Sequence, residues 1–95
     1  MSETFADVWD AIEDTPEQAA NLKARGALMR EIERWTRDSG LTQTQAARQL
    51  GITQPRLSDL MRGGIDKFSL DALVNMTGAA GLEVSVSVTV GRHAA

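Results

Sequence analysis

Two helix starts eleven residues apart, each stopped by glycine within one short run, constrain this chain more than any other feature. Thr42 is followed three residues later by Gln45, and the run Gln43 to Leu50 closes on Gly51; Thr53 then opens Gln54 to Arg62, which stops at Gly63-Gly64. A Thr or Ser before a helix accepts one of the N–H groups that lack an intrahelical partner, and Gln three residues on can complete a capping box. Glycine just past the last turn takes the left-handed conformation without steric cost. Helices this short are marginal alone in water, so the pair must be held by packing.

Two further starts supply what they pack against. Thr15-Pro16-Glu17-Gln18 combines a Thr cap, Pro at the first helical position and Gln at the capping-box position, and predicts a helix to about Asp38, ended by Ser39-Gly40. Its Leu28, Ile32 and Trp35 share one face, with Leu22 and Met29 beside it. Gly26 in the interior costs about 1 kcal/mol relative to Ala and argues against one unbroken rod. Ser69 caps a helix from Leu70 to about Ala80, with Leu70, Leu73, Val74 and Thr77 on one face and Gly81 as its stop.

After Gly81 the period falls to two. Leu82, Val84, Val86, Val88 and Val90 alternate with Glu83, Ser85, Ser87 and Thr89, the pattern of a half-buried strand. No second segment of this kind exists in the sequence, and a lone strand satisfies neither its backbone nor its apolar face. Pairing with the same strand of a second copy, as a two-fold dimer, is the simplest solution; the alternative is a tail laid over its own helices. The 95 residues thus divide into an acidic arm or short helix at 1–14, a helical domain at 15–81, a dimerising strand at 82–90 and a tail at 91–95. The expected fold is mainly α, with four to five helices and one C-terminal β-strand.

Composition removes most chemistries. There is no Cys, and the single His, His93, lies two residues from the end of the sequence, so disulfides, thiolate zinc and His-based triads are excluded. With no Gly-rich phosphate loop either, no nucleophile, base and orienting group can be assembled, and neither an enzyme nor a cofactor is expected. The longest apolar run is far from membrane-spanning and the first residues are acidic rather than basic and apolar, which predicts a cytoplasmic protein with no membrane partner.

The net charge of −3 looks unsuited to a nucleic-acid partner until it is divided. Residues 1–17 hold Glu3, Asp7, Asp10, Glu13, Asp14 and Glu17 with no Lys or Arg, whereas in 18–95 ten basic residues face seven acids and leave +3. Within 41–68, Arg48, Arg56, Arg62 and Lys67 outnumber Asp59 and Asp66 by two. These cations also fit the simpler description of a solvated surface. A net of +2 is modest for one copy, and a dimer would double the phosphate contacts.

The window 43–62 has the layout of a helix-turn-helix. Ala47 is small where two helices cross, Gly51 sits at the turn, and Leu50, Ile52, Leu57 and Leu60 supply the apolar lock. The second helix is expected to expose Gln54, Arg56, Ser58 and Asp59. Gln pairs bidentately with adenine, Arg with guanine, and an acid accepts from cytosine.

The stretch Leu41-Thr42-Gln43-Thr44-Gln45-Ala46-Ala47, with Leu50-Gly51-Ile52-Thr53-Gln54-Pro55-Arg56-Leu57-Ser58-Asp59-Leu60, resembles the XRE (Cro and lambda-repressor-like) DNA-binding domain. The continuation Arg62-Gly63-Gly64-Ile65-Asp66-Lys67-Phe68-Ser69-Leu70-Asp71-Ala72-Leu73 resembles the narrower HigA-type antitoxin branch, which also holds stand-alone regulators. The resemblance covers roughly residues 15–82. It implies a lambda-repressor-like helical domain in which Gln54, Arg56 and Asp59 read bases with Thr53 and Ser58 alongside. Gln43, Arg62 and Lys67 would contact phosphate, with Arg48 in the same basic patch, and the DNA site would be a palindromic operator. Pro55 stands where many relatives carry a polar reader, and Gly64 where this branch commonly carries Lys.

The acidic start admits three uses. Phe5, Val8, Trp9 and Ile12 have the spacing of one apolar helical stripe, which could fold back on the long helix. Asp10, Glu13, Asp14 and Glu17 have a spacing that could hold a divalent cation, although a solvated acidic face is far commoner. As a docking arm, the stripe would meet a basic partner; the HigA resemblance implies a small basic RelE-like ribonuclease toxin. The contrasting possibilities are an XRE-type regulator with no toxin and an interaction module that does not bind DNA.

Overall fold

A computed structural model describes residues 15–90; the stripe Phe5, Val8, Trp9, Ile12 and the acids before Thr15 lie outside the described residues. The element order is α1 (Pro16–Asp38), α2 (Gln43–Leu50), α3 (Gln54–Met61), a 3-10 turn (Ile65–Lys67) and α4 (Leu70–Ala79). Each cap assigned from sequence makes its bond. The Thr15, Thr42, Thr53 and Ser69 hydroxyls accept the N–H of Gln18, Gln45, Arg56 and Ala72 at 3.1, 3.1, 3.3 and 3.1 Å. At Thr42 the box is complete, because the Gln45 side chain accepts the Thr42 N–H at 3.0 Å.

The last three helices share a further device. Leu41, Ile52 and Phe68 directly precede the caps of α2, α3 and α4, and the fourth residue of each helix, Ala46, Leu57 and Leu73, is buried. An apolar residue before the cap that packs on the fourth helical position fixes the angle at which the chain enters the helix. Each turn between helices therefore contributes to the core.

α1 packs against α4, α3 and the 3-10 turn, while α2 packs against α3 and α4. The core is Met29 and Ile32 from α1, Ala46, Ala47 and Leu50 from α2, Leu57 and Leu60 from α3, Phe68, and Leu73 and Met76 from α4. Buried Thr36 and Thr77 are satisfied locally, their hydroxyls donating to the Ile32 and Val74 carbonyls at 2.8 and 2.6 Å. Gly26 does not break α1; a Cβ there would meet only Arg30 Nη1 at 3.6 Å and Ile65 Cδ1 at 3.8 Å.

One expectation is narrowed. The buried stripe of α1 is Met29, Ile32 and Thr36, with Leu28 and Trp35 half-buried at its edge, and that of α4 is Leu73, Met76 and Thr77, with Leu70 half-buried and Val74 39% exposed. The apolar faces are wider than the core uses. Residues 82–90, with Leu82, Val84, Val86, Val88 and Val90, form no strand within the single chain. The Leu82 N–H donates to the Thr77 carbonyl at 2.9 Å, and beyond it no backbone group of 83–90 bonds to another described residue. A single extended segment has no ladder within one copy. No helix among the described residues is long and apolar enough to cross a membrane.

Candidate nucleic-acid interface

The turn between α2 and α3 is set by Gly51, whose φ of 75° is left-handed and whose N–H reaches the Ala47 and Arg48 carbonyls. Ile52 N–H also returns to Ala47 O at 3.0 Å. This closes α2 and leaves only Ile52 before the cap of α3. Ala46 and Ala47, 0% and 1% exposed, let the two helices approach closely.

At one end of the pair, Gln54 and Gln43 meet: the Gln54 Nε2 donates to Gln43 Oε1 at 2.7 Å. Both side chains belong to exposed residues at the first positions of their helices. The sequence-derived base reader and phosphate contact are thus one hydrogen-bonded unit. Pro55, also exposed, follows in the first turn of α3, where its missing N–H has no intrahelical acceptor.

At the other end lies a charged cluster. Asp59 Oδ1 receives Arg62 Nη2 at 2.8 Å and Lys67 Nζ at 3.8 Å, and Ser58 Oγ accepts from Arg62 Nη1 at 2.9 Å. The Arg62 and Lys67 side chains are 70% and 56% exposed, against 24% for Asp59. The acid therefore sits beneath two outward cations. Beside them the Arg56 guanidinium lies 4.5 Å over the Phe68 ring and donates to the Lys67 carbonyl at 3.1 Å.

Of the residues expected to be exposed on α3, Gln54 is; Arg56, Ser58 and Asp59 are half-buried because they make these contacts. Thr53, beside them, is exposed but its hydroxyl serves as the cap. Arg48 is exposed on α2 and makes no ion pair among the described residues.

Phe68, Arg25 and the 3-10 turn were not foreseen as parts of the site. Arg25 of α1 donates through Nη1 to the Ile65 and Phe68 carbonyls at 2.9 and 3.3 Å, pinning the turn that carries Lys67. Phe68 was detectable as the apolar residue before the Ser69 cap. Arg25 had no such signal, since its acceptors lie 40 and 43 positions away. At Gly64 a Cβ would approach the Asp59 carbonyl oxygen to 3.1 Å, tighter than an ordinary contact, so a side chain there requires the backbone to shift slightly. No group of three or more acidic or His side chains able to hold a metal occurs among the described residues.

A short capped helix braced across another by Ala46, Ala47, Leu50 and Leu57, with polar side chains at its start, defines a helix-turn-helix module, the class of DNA-binding regulators. The model of the helix-turn-helix domain family matches residues 11–89, and the chain belongs to that family. This agrees at family level with the XRE-like resemblance. No curated protein matches the chain.

Proposed function

We propose that this protein is a dimeric, sequence-specific DNA-binding repressor whose reading helix is α3. The observation that carries this reading is the Gln43–Gln54 pair, which holds an amide at the exposed start of α3 and still leaves it a donor and an acceptor for a base edge. Gln54, Arg56 and Asp59 are the candidate base readers, with Thr53 and Ser58 beside them, and Gln43, Arg48, Arg62 and Lys67 the candidate phosphate contacts. Two copies joined through Leu82, Val84, Val86, Val88 and Val90 would face successive major grooves.

The finer form of the proposal is an antitoxin that represses its own operon. The acidic stretch bearing Phe5, Val8, Trp9 and Ile12 supports it as a docking arm for a small basic RelE-like toxin. A second reading, an interaction module without DNA binding, draws on the internal engagement of Arg56, Arg62 and Lys67. A stand-alone regulator shares the DNA chemistry and lacks the toxin.

Selection from random duplexes followed by footprinting tests the core of this. The expected site is a palindrome with half-sites about one turn, roughly 34 Å, apart. A single unsymmetrical half-site removes the dimeric repressor, and no salt-sensitive binding to any duplex leaves the interaction module. Co-purification with the product of the adjacent gene separates the antitoxin from the stand-alone regulator.

A further inference from the structure

The apolar surplus of α1 and α4 meets on a face to which neither α2 nor α3 contributes. Leu28 and Trp35 on one side and Leu70 and Val74 on the other line a groove of about 860 Å³, whose third wall is the first part of the extended segment, Leu82 to Ser87. Exposure climbs along that segment, from half-buried Leu82 through 38% at Val84 to 83% at Val86 and 92% at Val90. The valine edge leaves its own domain while the groove beside it stays open.

We propose that a second copy of this chain occupies the groove: the distal half of each extended segment lies on the α1–α4 groove of the other copy, alongside that copy's own Leu82–Ser87. This deepens the dimer reading above and rests on it. The two segments would form an antiparallel ladder whose apolar faces cover both grooves.

Three observations choose this occupant. The first is charge: the groove's charged residues are Glu31, Asp38 and Glu83 against the single cation Arg34. Residues 1–14 carry five acids and no base and would set acid on acid, whereas 84–90 is uncharged. The second is length. The α1 wall from Ala24 to Asp38 rises about 21 Å at 1.5 Å per residue, and the five distal residues, 86–90, span about 17 Å when extended, most of that wall. The third is the backbone, since the peptide groups of 83–90 make no bond to another described residue and a second segment supplies both donors and acceptors.

The test uses the full chain without DNA and carries Trp9→Phe, so that Trp35 is the sole tryptophan. Sedimentation across the micromolar range is expected to show a dimer, with Trp35 emission shifting to the red as dilution separates the copies. Val88→Glu on the segment and Val74→Glu in the groove should each weaken the dimer about a hundredfold by burying an unpaired charge. Far-UV circular dichroism checks their folding, and Val74→Thr, which keeps the shape, gives a weaker loss in the same direction if the glutamate misfolds. Deleting residues 2–14 should change neither the dimer state nor the emission.

Loss of the dimer in Val88→Glu but in neither Val74 variant would overturn the groove while leaving the segment-paired dimer intact. A chain monomeric throughout overturns both. A red shift on deleting 2–14 assigns the groove to the chain's own arm, and a Trp35 response only to an added basic protein assigns it to that partner; either result overturns the proposal.

Discussion

The side-chain amide of Gln54 donates to the amide oxygen of Gln43 at 2.7 Å, tying the first residue of α3 to the first residue of α2. With that bond made, Gln54 keeps one N–H and its carbonyl oxygen, the pair of groups that adenine requires in the major groove. If Gln43 contacts phosphate as proposed, it would then act through Gln54 as well. In a double-mutant cycle of Gln43→Ala and Gln54→Ala on the selected operator, a coupling of about 0.5–3 kcal/mol is expected. Strictly additive losses would mean that the two amides act independently.

Asp59 offers the next prediction, because a single oxygen, Oδ1, serves both Arg62 and Lys67. A carboxylate so engaged would restrain two candidate phosphate contacts, whether or not it also accepts from cytosine. The pairs are largely exposed on their cationic side, so losing them costs at most about 1 kcal/mol of stability. Asp59→Asn is therefore expected to remain folded and bind random duplex more tightly. Its dependence on log salt should steepen by about 0.9 for each phosphate newly contacted. If Asp59 reads a base, the same variant instead alters preference at one base pair and leaves the random-DNA slope unchanged.

What the sequence disclosed was whatever local chemistry decides. Thr42 with Gln45, Thr53, Ser69 and the glycine stops act within four residues of the backbone they serve, so the helix ends could be placed from them. The apolar stripes were drawn too wide: periodicity identifies Leu28, Trp35, Leu70 and Val74 as apolar-face residues and does not say which neighbour covers them. Alternation from Leu82 to Val90 likewise specifies two faces and no partner. The 3-10 turn had no readable start, since Gly64 provides no capping side chain, and Arg25 secures it from a distant helix. In the site, the residue types were legible and their internal pairing was not, because Asp59, Arg62, Lys67 and Phe68 converge only once α3 and the turn have folded.

Gly26 is expected to yield a more stable protein when replaced by Ala. The position is mid-helix, and the added Cβ meets ordinary contact distances, so the gain is the helix-propensity difference of about 1 kcal/mol. For a domain of this size that corresponds to a Tm higher by roughly 4–8 °C. Thermal unfolding checks it; a lower Tm would mean that the 3.8 Å approach to Ile65 is too tight for a methyl group.

Gly51 should respond in the opposite sense. Its nearest obstacle is Ala79 Cβ at 3.9 Å, so space is sufficient and the conformation decides. Holding a non-glycine residue at φ 75° costs about 1–2 kcal/mol, and Gly51→Ala should lose that much in denaturant unfolding. Gly51→Asn should lose less, because Asn tolerates the left-handed region. Equal losses for Ala and Asn would point to a steric cause instead.

Phe68 is both a core residue, 1% exposed, and the floor under Arg56, whose guanidinium carbon lies 4.5 Å from the ring centroid. Phe68→Ala would cost about 3–5 kcal/mol through the cavity alone and obscure any effect on recognition. Phe68→Leu keeps the position apolar and removes the ring, forfeiting a cation–π contact worth about 0.5–2 kcal/mol. Arg56 would retain its charge and its bond to the Lys67 carbonyl but lose the surface that holds its plane. A bidentate contact with guanine depends on that plane, whereas attraction to phosphate does not. Competition binding on operators changed one base pair at a time is therefore expected to show relaxed preference at a single position, with random-duplex affinity unaltered. A uniform loss on operator and random DNA would instead make Arg56 a phosphate contact and Phe68 its support in that role.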